Sequence, residues 1–148
     1  MGSPIIGAWT LVSFEFRKSD GHVIYPYGEE ARGSLIYTES GRYSAQLMRT
    51  DRPRFAIGDQ MMGTPAEIEA SYKGSISYFG TYEVDVKNGF IMHHVEGSIF
   101  PNMEGTDQKR FFELSENRLQ LTTPPIQLDG EKAVGVLLWE RDDPYSHG

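Results

Sequence analysis

Turn-forming residues recur along this chain at intervals that leave room only for short extended runs between them. Ser19-Asp20-Gly21, Glu39-Ser40-Gly41, Lys87-Asn88-Gly89, Ser115-Glu116-Asn117 and Asp129-Gly130 each interrupt a stretch rich in alternating, β-branched and aromatic residues. Asn-Gly and Asp-Gly tolerate the positive φ that tight hairpins need. They predict strands over residues 9–17, 23–25 (stopped by Pro26), 34–38, 42–48, 78–86, 90–99, 107–114, 118–123 and 133–141. Runs in meander order at this spacing predict an all-β fold, a closed antiparallel up-and-down barrel of about eight or nine strands. Strict alternation in the first run would group Thr10, Val12, Phe14 and Phe16 on one face, and Trp9, Leu11, Ser13 and Glu15 on the other.

One short helix is inserted in this series. Thr64 is a good N-cap, Pro65 takes the favoured first helical position, and Glu67 completes a capping box. Ile68 and Tyr72 then share a face, and Gly74 ends or kinks the helix. The stretch before it, residues 49–63, carries Arg49, Arg52 and Arg54 and then Met61-Met62. Irregular segments of this length in compact domains are usually functional or mobile. Loop and helix together are expected to form a lid or plug over one barrel end.

Composition narrows the function classes. The 148 residues, 39% of them hydrophobic, suit one domain spanning 1–148 with a sizeable core. Fourteen basic against 21 acidic residues give a formal net charge of -7, which argues against general affinity for nucleic acid or anionic membranes. No apolar run is long enough to span a bilayer. The first residues lack the basic and apolar regions of a secretory signal. Myristoylation of Gly2 is not expected, because Ile6 stands where that motif wants Ser or Thr. With no Cys there is no disulfide scaffold, thiolate nucleophile or Cys-based zinc site. A cytoplasmic location is the default expectation. Dinucleotide, nucleotide and hydrolase signatures are absent.

Gly7-Ala8-Trp9 opens the first run and Leu138-Trp139-Glu140-Arg141 closes the last. In a closed sheet these runs are neighbours, so the Arg141 guanidinium can stack on the Trp9 indole. Closure also leaves an interior that side chains fill or one small ligand occupies. Further segments carry a wider likeness: Tyr25-Pro26-Tyr27-Gly28, Gly41-Arg42-Tyr43-Ser44-Ala45-Gln46-Leu47-Met48, Gly63-Thr64-Pro65-Ala66-Glu67-Ile68, Tyr78-Phe79-Gly80-Thr81-Tyr82, His93-His94-Val95-Glu96-Gly97-Ser98 and Pro101-Asn102. Taken with the two ends, they resemble the lipocalin-like domain family over nearly the whole chain. The resemblance implies a calycin-type barrel with an internal cavity. Some related barrels serve biosynthetic pathways as cofactor-free cyclases or isomerases. It supplies no agreed catalytic set.

The candidate chemistry therefore rests on residue types. His93 and His94 are adjacent on a strand, so they point to opposite faces and cannot serve one proton path. His94 travels with Met92, Glu96 and Ser98, and an inward His94 would have Glu96 on the same face to orient it or trade protons. An inward His93 would instead be a single polar group in an apolar pocket. A mononuclear metal site lacks ligands, since His22 and His147 lie in a turn and the tail. A haem-binding barrel with His93 or His94 as axial ligand stays open with no feature favouring it, and no cofactor is expected. Tyr43, Tyr72, Tyr78 and Tyr82 form a second constellation, whose rings suit an apolar ligand and whose hydroxyls suit a carbonyl or enolate oxygen. Arg110 alternates with Phe112 and Leu114; facing inward, it would need a carboxylate or an anionic ligand. Gln46 and Met48 could add an amide and a thioether to a pocket wall. Asp142-Asp143 reads as a solvated tail.

The expected ligand-binding set is thus Tyr43, Gln46, Met48, Tyr78, Tyr82 and Arg110, with His94, Glu96 and His93 as catalytic candidates. The leading expectation is a cofactor-independent isomerase or cyclase acting on an apolar or aromatic, polyketide- or terpenoid-like intermediate. The alternative is a non-catalytic binder or carrier of a small hydrophobic ligand. Neither nucleic acid nor membrane is an expected partner, and the oligomeric state is left open, a homodimer included.

Overall fold

A computed structural model describes residues 4–128 and 130–142. Gly2, Asp129, Asp143 and His147 lie outside them. The described chain forms β1 Gly7–Lys18, β2 Val23–Ile24, β3 Arg32–Tyr37, β4 Arg42–Met48, α1 Pro65–Lys73, β5 Ser75–Asp85, β6 Phe90–Ser98, β7 Asp107–Ser115, β8 Arg118–Thr122, β9 Ile126–Leu128 and β10 Glu131–Arg141. A single turn of 3-10 helix, Pro101–Met103, lies between β6 and β7.

The sheet runs β1-β3-β4-β5-β6-β7-β8-β10, and β10 pairs back onto β1. Every pairing is antiparallel, so eight strands close a barrel, with β2 added beside β1 and β9 beside β10. Closure pairs Trp9 with Arg141 and Leu11 with Trp139. The Arg141 guanidinium lies over the Trp9 ring, 4.2 Å from its centroid, and donates to the Ile6 carbonyl at 2.9 Å. Trp9 is fully buried, and its indole N–H donates to the Ile5 carbonyl at 2.9 Å. The stacked pair expected from the two chain ends is present, where the first and last strands meet.

Two bulges alter the alternation. Register shifts between Leu11 and Ser13, leaving Val12 exposed on the outside. The first run therefore turns Trp9 and Leu11 inward and then Phe14 and Phe16, not the grouping that strict alternation gives. The second bulge lies in β6: Phe79 pairs with Gly97 and Gly80 with Val95, so Glu96 is the extra residue. Such an insertion re-aims the side chains beyond it. Gly80 sits where the two backbones come closest, and a Cβ there would stand 1.9 Å from the His94 carbonyl oxygen.

The helix forms as its capping signature predicts. The Thr64 hydroxyl accepts from the Glu67 N–H at 3.2 Å, and the Glu67 carboxylate accepts from the Thr64 N–H at 2.8 Å and the Ala56 N–H at 2.9 Å. None of its residues is buried, and Ile68 and Tyr72 are half exposed. Helix and loop lie at the end of the barrel opposite Trp9, where β4 leaves and β5 enters. Among the described residues no helix is long and apolar enough to cross a membrane.

Candidate functional site

Inside the barrel, residues from four consecutive strands bring five polar rings together. Tyr37 comes from β3, Tyr43 from β4, Tyr78 and Tyr82 from β5, and His93 from β6. The Tyr43 ring stacks on His93 with centroids 4.2 Å apart and planes 14° apart. Tyr37 meets Tyr82 edge-on at 4.8 Å, and Tyr78 meets Tyr43 edge-on at 5.8 Å. Tyr82 donates to the Thr38 carbonyl at 2.7 Å. Strand parity explains the gathering: Tyr43 pairs with Gly80 and Tyr82 with His93, and directly paired residues share a face.

The hydrogen bonds of this cluster are incomplete. The Tyr37 oxygen and His93 Nε2 are 2.6 Å apart, both fully buried. The described residues offer the Tyr37 hydroxyl no other acceptor, and the tautomer that uses its proton is the one in which it donates to Nε2 and the ring proton sits on Nδ1. That Nδ1 has no partner, and neither do the buried Tyr43 hydroxyl and the buried Trp139 indole N–H. Buried polar groups are almost always paired, so three in one barrel call for an explanation. All three can donate. The described interior thus holds three buried groups able to donate and without a partner.

Its electrostatics follow from burial. Desolvation, helped by the charges of Arg110 and His94, pushes the His93 imidazole down to about 3, so it is neutral near pH 7. Desolvation also holds the phenols of Tyr37 and Tyr43 above the usual tyrosine range, against an opposing pull from Arg110. Arg110 lies on the inward row of β7 with Gln108, Phe112 and Leu114, paired with Ile91 beside the Gln108–His93 pair. It is half-buried, and its Nη1 donates to the Lys109 carbonyl at 2.9 Å.

Four sequence-selected residues face the other way. His94 is on the outside, with Nδ1 at 2.7 Å from Asp107 and Nε2 at 2.8 Å from Glu83. These two carboxylate contacts raise its pKa above the ordinary histidine value. Glu96, displaced by the bulge, pairs with Arg42 at 2.9 Å rather than with His94. The expected inward relay of His94 and Glu96 is therefore not formed, because β6 presents its odd-numbered residues Ile91, His93 and Val95 to the core. Gln46 and Met48 are likewise outside, since Tyr43, Ala45 and Leu47 take the inward positions of β4. Met48 Sδ instead lies 3.2 Å from an Arg52 guanidinium nitrogen. Tyr72, on the helix, is half exposed at the far end.

Two residues of the buried interior, Tyr37 and Trp139, carry no functional signal in the sequence. Tyr37 lies in a run whose phase no motif fixed, and Trp139 served only to mark the end of the chain's last strand. An open groove of about 1090 Å³ lies outside the barrel against the 49–63 loop, with Arg32, Arg49, Arg52, Arg54 and Phe55 among its lining residues. Among the described residues no group of three or more His, Cys, Asp or Glu side chains could hold a metal ion.

Comparison with known proteins agrees with this architecture. A curated relative from Aspergillus oryzae, a 4'-hydroxy-3'-methoxypropiophenone carrier protein, is 29% identical over 105 residues, covering 66% of this chain and 95% of the relative. No solved structure matches the chain. The family model of the lipocalin-like domain matches residues 6–142, and with eight strands closed behind the Trp9–Arg141 pair the chain belongs to that family.

Proposed function

We propose that this protein is a non-catalytic binder or carrier of an aromatic small molecule bearing hydrogen-bond-accepting oxygens, held inside the barrel. The observation that carries this reading is the surplus of buried donors: His93 Nδ1–H, the Tyr43 hydroxyl and the Trp139 indole N–H all lack partners. A ligand oxygen offers each a partner, and a buried donor left unmatched costs roughly 1–3 kcal/mol. The stacked and edge-on rings about His93 and Tyr43 suit an aromatic body. The carrier name of the fungal relative supports the same class of ligand, an aryl ketone with phenolic and methoxy oxygens.

The alternative, an isomerase or cyclase working by proton transfer, loses its main support. General acid–base catalysis wants a group titrating near the working pH. His94 and Glu96 are on the outer surface, and His93 stays neutral far below neutrality. A cytoplasmic location remains part of the proposal.

The test is to titrate 4'-hydroxy-3'-methoxypropiophenone and its hydrocarbon counterpart propylbenzene into the protein. Calorimetry follows binding, and chromatography with mass detection follows the recovered compound. The expected result is saturable binding of the oxygenated ketone, at least about tenfold tighter than propylbenzene, with the compound returned unchanged. Conversion of the ketone would revive the enzyme reading, and equal affinity for propylbenzene would remove the donor argument.

A further inference from the structure

Arg110 is a cation without a counter-charge. Its inward row on β7 faces Tyr37 of β3, Tyr43 of β4, Tyr78 and Tyr82 of β5 and His93 of β6, and its field reaches Tyr37, Tyr43 and His93. The inward positions of β8 and β10 add Leu119, Leu121, Leu137 and Trp139, and those of β1 add Trp9 and Leu11. None of these is a carboxylate. Among the described residues no Asp or Glu pairs with Arg110, and its one hydrogen bond is to the carbonyl of the preceding residue.

The protein is not short of acids. It carries 21 Asp and Glu, and Arg17, Arg42, Arg49 and Arg118 each pair with one of them on the outside. Lys109, the immediate neighbour of Arg110, lies outside over the Phe90 ring at 4.4 Å. Arg110, by contrast, lies on the inward row of β7, beside a wall of neutral donors. A guanidinium half withdrawn from water and facing neutral donors favours an anion as its partner, because an uncompensated charge becomes more costly the more it is buried. Next to it, the unpartnered Nδ1–H of fully buried His93 and the unpartnered Tyr43 hydroxyl supply the further donors that an oxyanion accepts.

We propose that the barrel holds its ligand as an organic oxyanion, a phenolate or an aryl carboxylate, with Arg110 as the counter-charge and His93 Nδ1–H and the Tyr43 hydroxyl as additional donors. This deepens the binding reading above and rests on it. For a phenol the step is simple: the O–H bond breaks, the proton leaves to solvent, and the electron pair stays on the oxygen facing the guanidinium. A para-acyl phenol is suited to this exchange, because the carbonyl delocalises the phenolate charge.

The test uses the whole protein and three probes: 4'-hydroxy-3'-methoxypropiophenone, its methyl ether 3',4'-dimethoxypropiophenone, and 4-methoxybenzoate. Difference spectra are taken at a pH below the free phenol's own pKa, where unbound probe is neutral. The expected result is a red-shifted phenolate band on binding and proton release detected by calorimetry in two buffers. The ether should bind roughly 10- to 100-fold more weakly, as loss of a charge-assisted hydrogen bond implies. Arg110→Gln should remove the band and close the gap between phenol and ether. Tighter binding of the benzoate than of the phenol identifies carboxylate as the preferred oxyanion. Phenol and ether binding equally, with no phenolate band and no proton release, overturns the anion inference and leaves the binding reading standing. Failure of all three probes to bind overturns both. Should the variant not fold, the probe pair on the natural protein still decides.

Discussion

His93 and His94 are chemically identical neighbours on one strand, and the fold makes opposites of them. His93 is sealed inside, neutral, with one nitrogen satisfied by Tyr37 and the other idle. His94 is outside, clamped between Asp107 and Glu83, and drawn towards the charged state. His94 ties β6 to β5 and β7 and has all its hydrogen bonds. His93 sits in a stacked cluster of rings that leaves a donor exposed only to the interior. A saturated residue is architecture, whereas an unsaturated one in a closed core points to something that arrives later. The contrast thus separates the scaffold from the binding wall within two consecutive positions.

The largest way to break this contrast is at Gly80. That glycine lies opposite the Glu96 bulge, with no room for a Cβ against the His94 carbonyl oxygen or the Glu96 N–H. Gly80→Ala must push the two strands apart just where β6 changes phase. It is expected to destabilise the protein by about 3 kcal/mol, the upper part of the range for overpacking a filled interior. The midpoint of urea unfolding measures it. An unchanged midpoint would mean that the strands part without penalty and that the close approach does not hold the bulge.

A smaller effect is expected at Tyr37. Tyr37→Phe leaves His93 Nε2 buried with nothing to accept from, which costs roughly 1–3 kcal/mol. Adding His93→Leu removes the stranded nitrogen, so the double variant should be less destabilised than the sum of the two singles. Strict additivity would show that the 2.6 Å contact is not a functioning hydrogen bond. The same pair of variants also separates packing from polarity, because both replacements stay apolar and bulky.

These residues also show what the sequence made legible. Turn chemistry and alternation are local, so the barrel, its helix cap and the Trp9–Arg141 closure could be read from the chain alone. The direction in which a strand faces depends on phase, and phase is reset by bulges that carry no clear local signal. Val12 and Glu96 look like ordinary strand residues, yet each shifts everything beyond it. The choice between His93 and His94 was undecidable for that reason. Gln46 was a different kind of miss. It stands three positions from Tyr43, an odd step, so a regular strand cannot turn both inward. Alternation makes Arg110, Tyr78 and Tyr82 candidates for the inner wall without fixing the face, and Tyr37 gives no local signal because its significance lies in a contact 56 positions away.

The mildest test of the contrast is titration, where the two histidines should pull stability in opposite directions. Unfolded, both titrate near ~6.5. Folded His93 resists protonation down to about 3. Between those values the unfolded chain binds a proton that the fold refuses, so the His93 contribution is fully present above ~6.5 and is lost as pH falls towards 3. Folded His94 is shifted upward, chiefly by its hydrogen bond to Asp107 and then by that to Glu83. Its contribution is fully present below ~6.5 and is lost as pH rises through the raised folded value. The second effect is the weaker, because the His94 side chain is about one third exposed (35%) and its partners more so, and solvent screens such pairs. Histidine ring resonances followed by NMR from pH 4.5 to 8 should therefore show one imidazole that stays flat, assignable to His93 by its loss in His93→Gln. Another should show a midpoint above the free-histidine value, and it should disappear in His94→Gln. His94→Gln should also lower stability modestly below pH 6, where the His94 contribution is fully present, and flatten its decline on the alkaline side. If the buried imidazole titrates near neutrality, then solvent or a bound proton reaches the interior, and His93 regains its standing as an acid–base group.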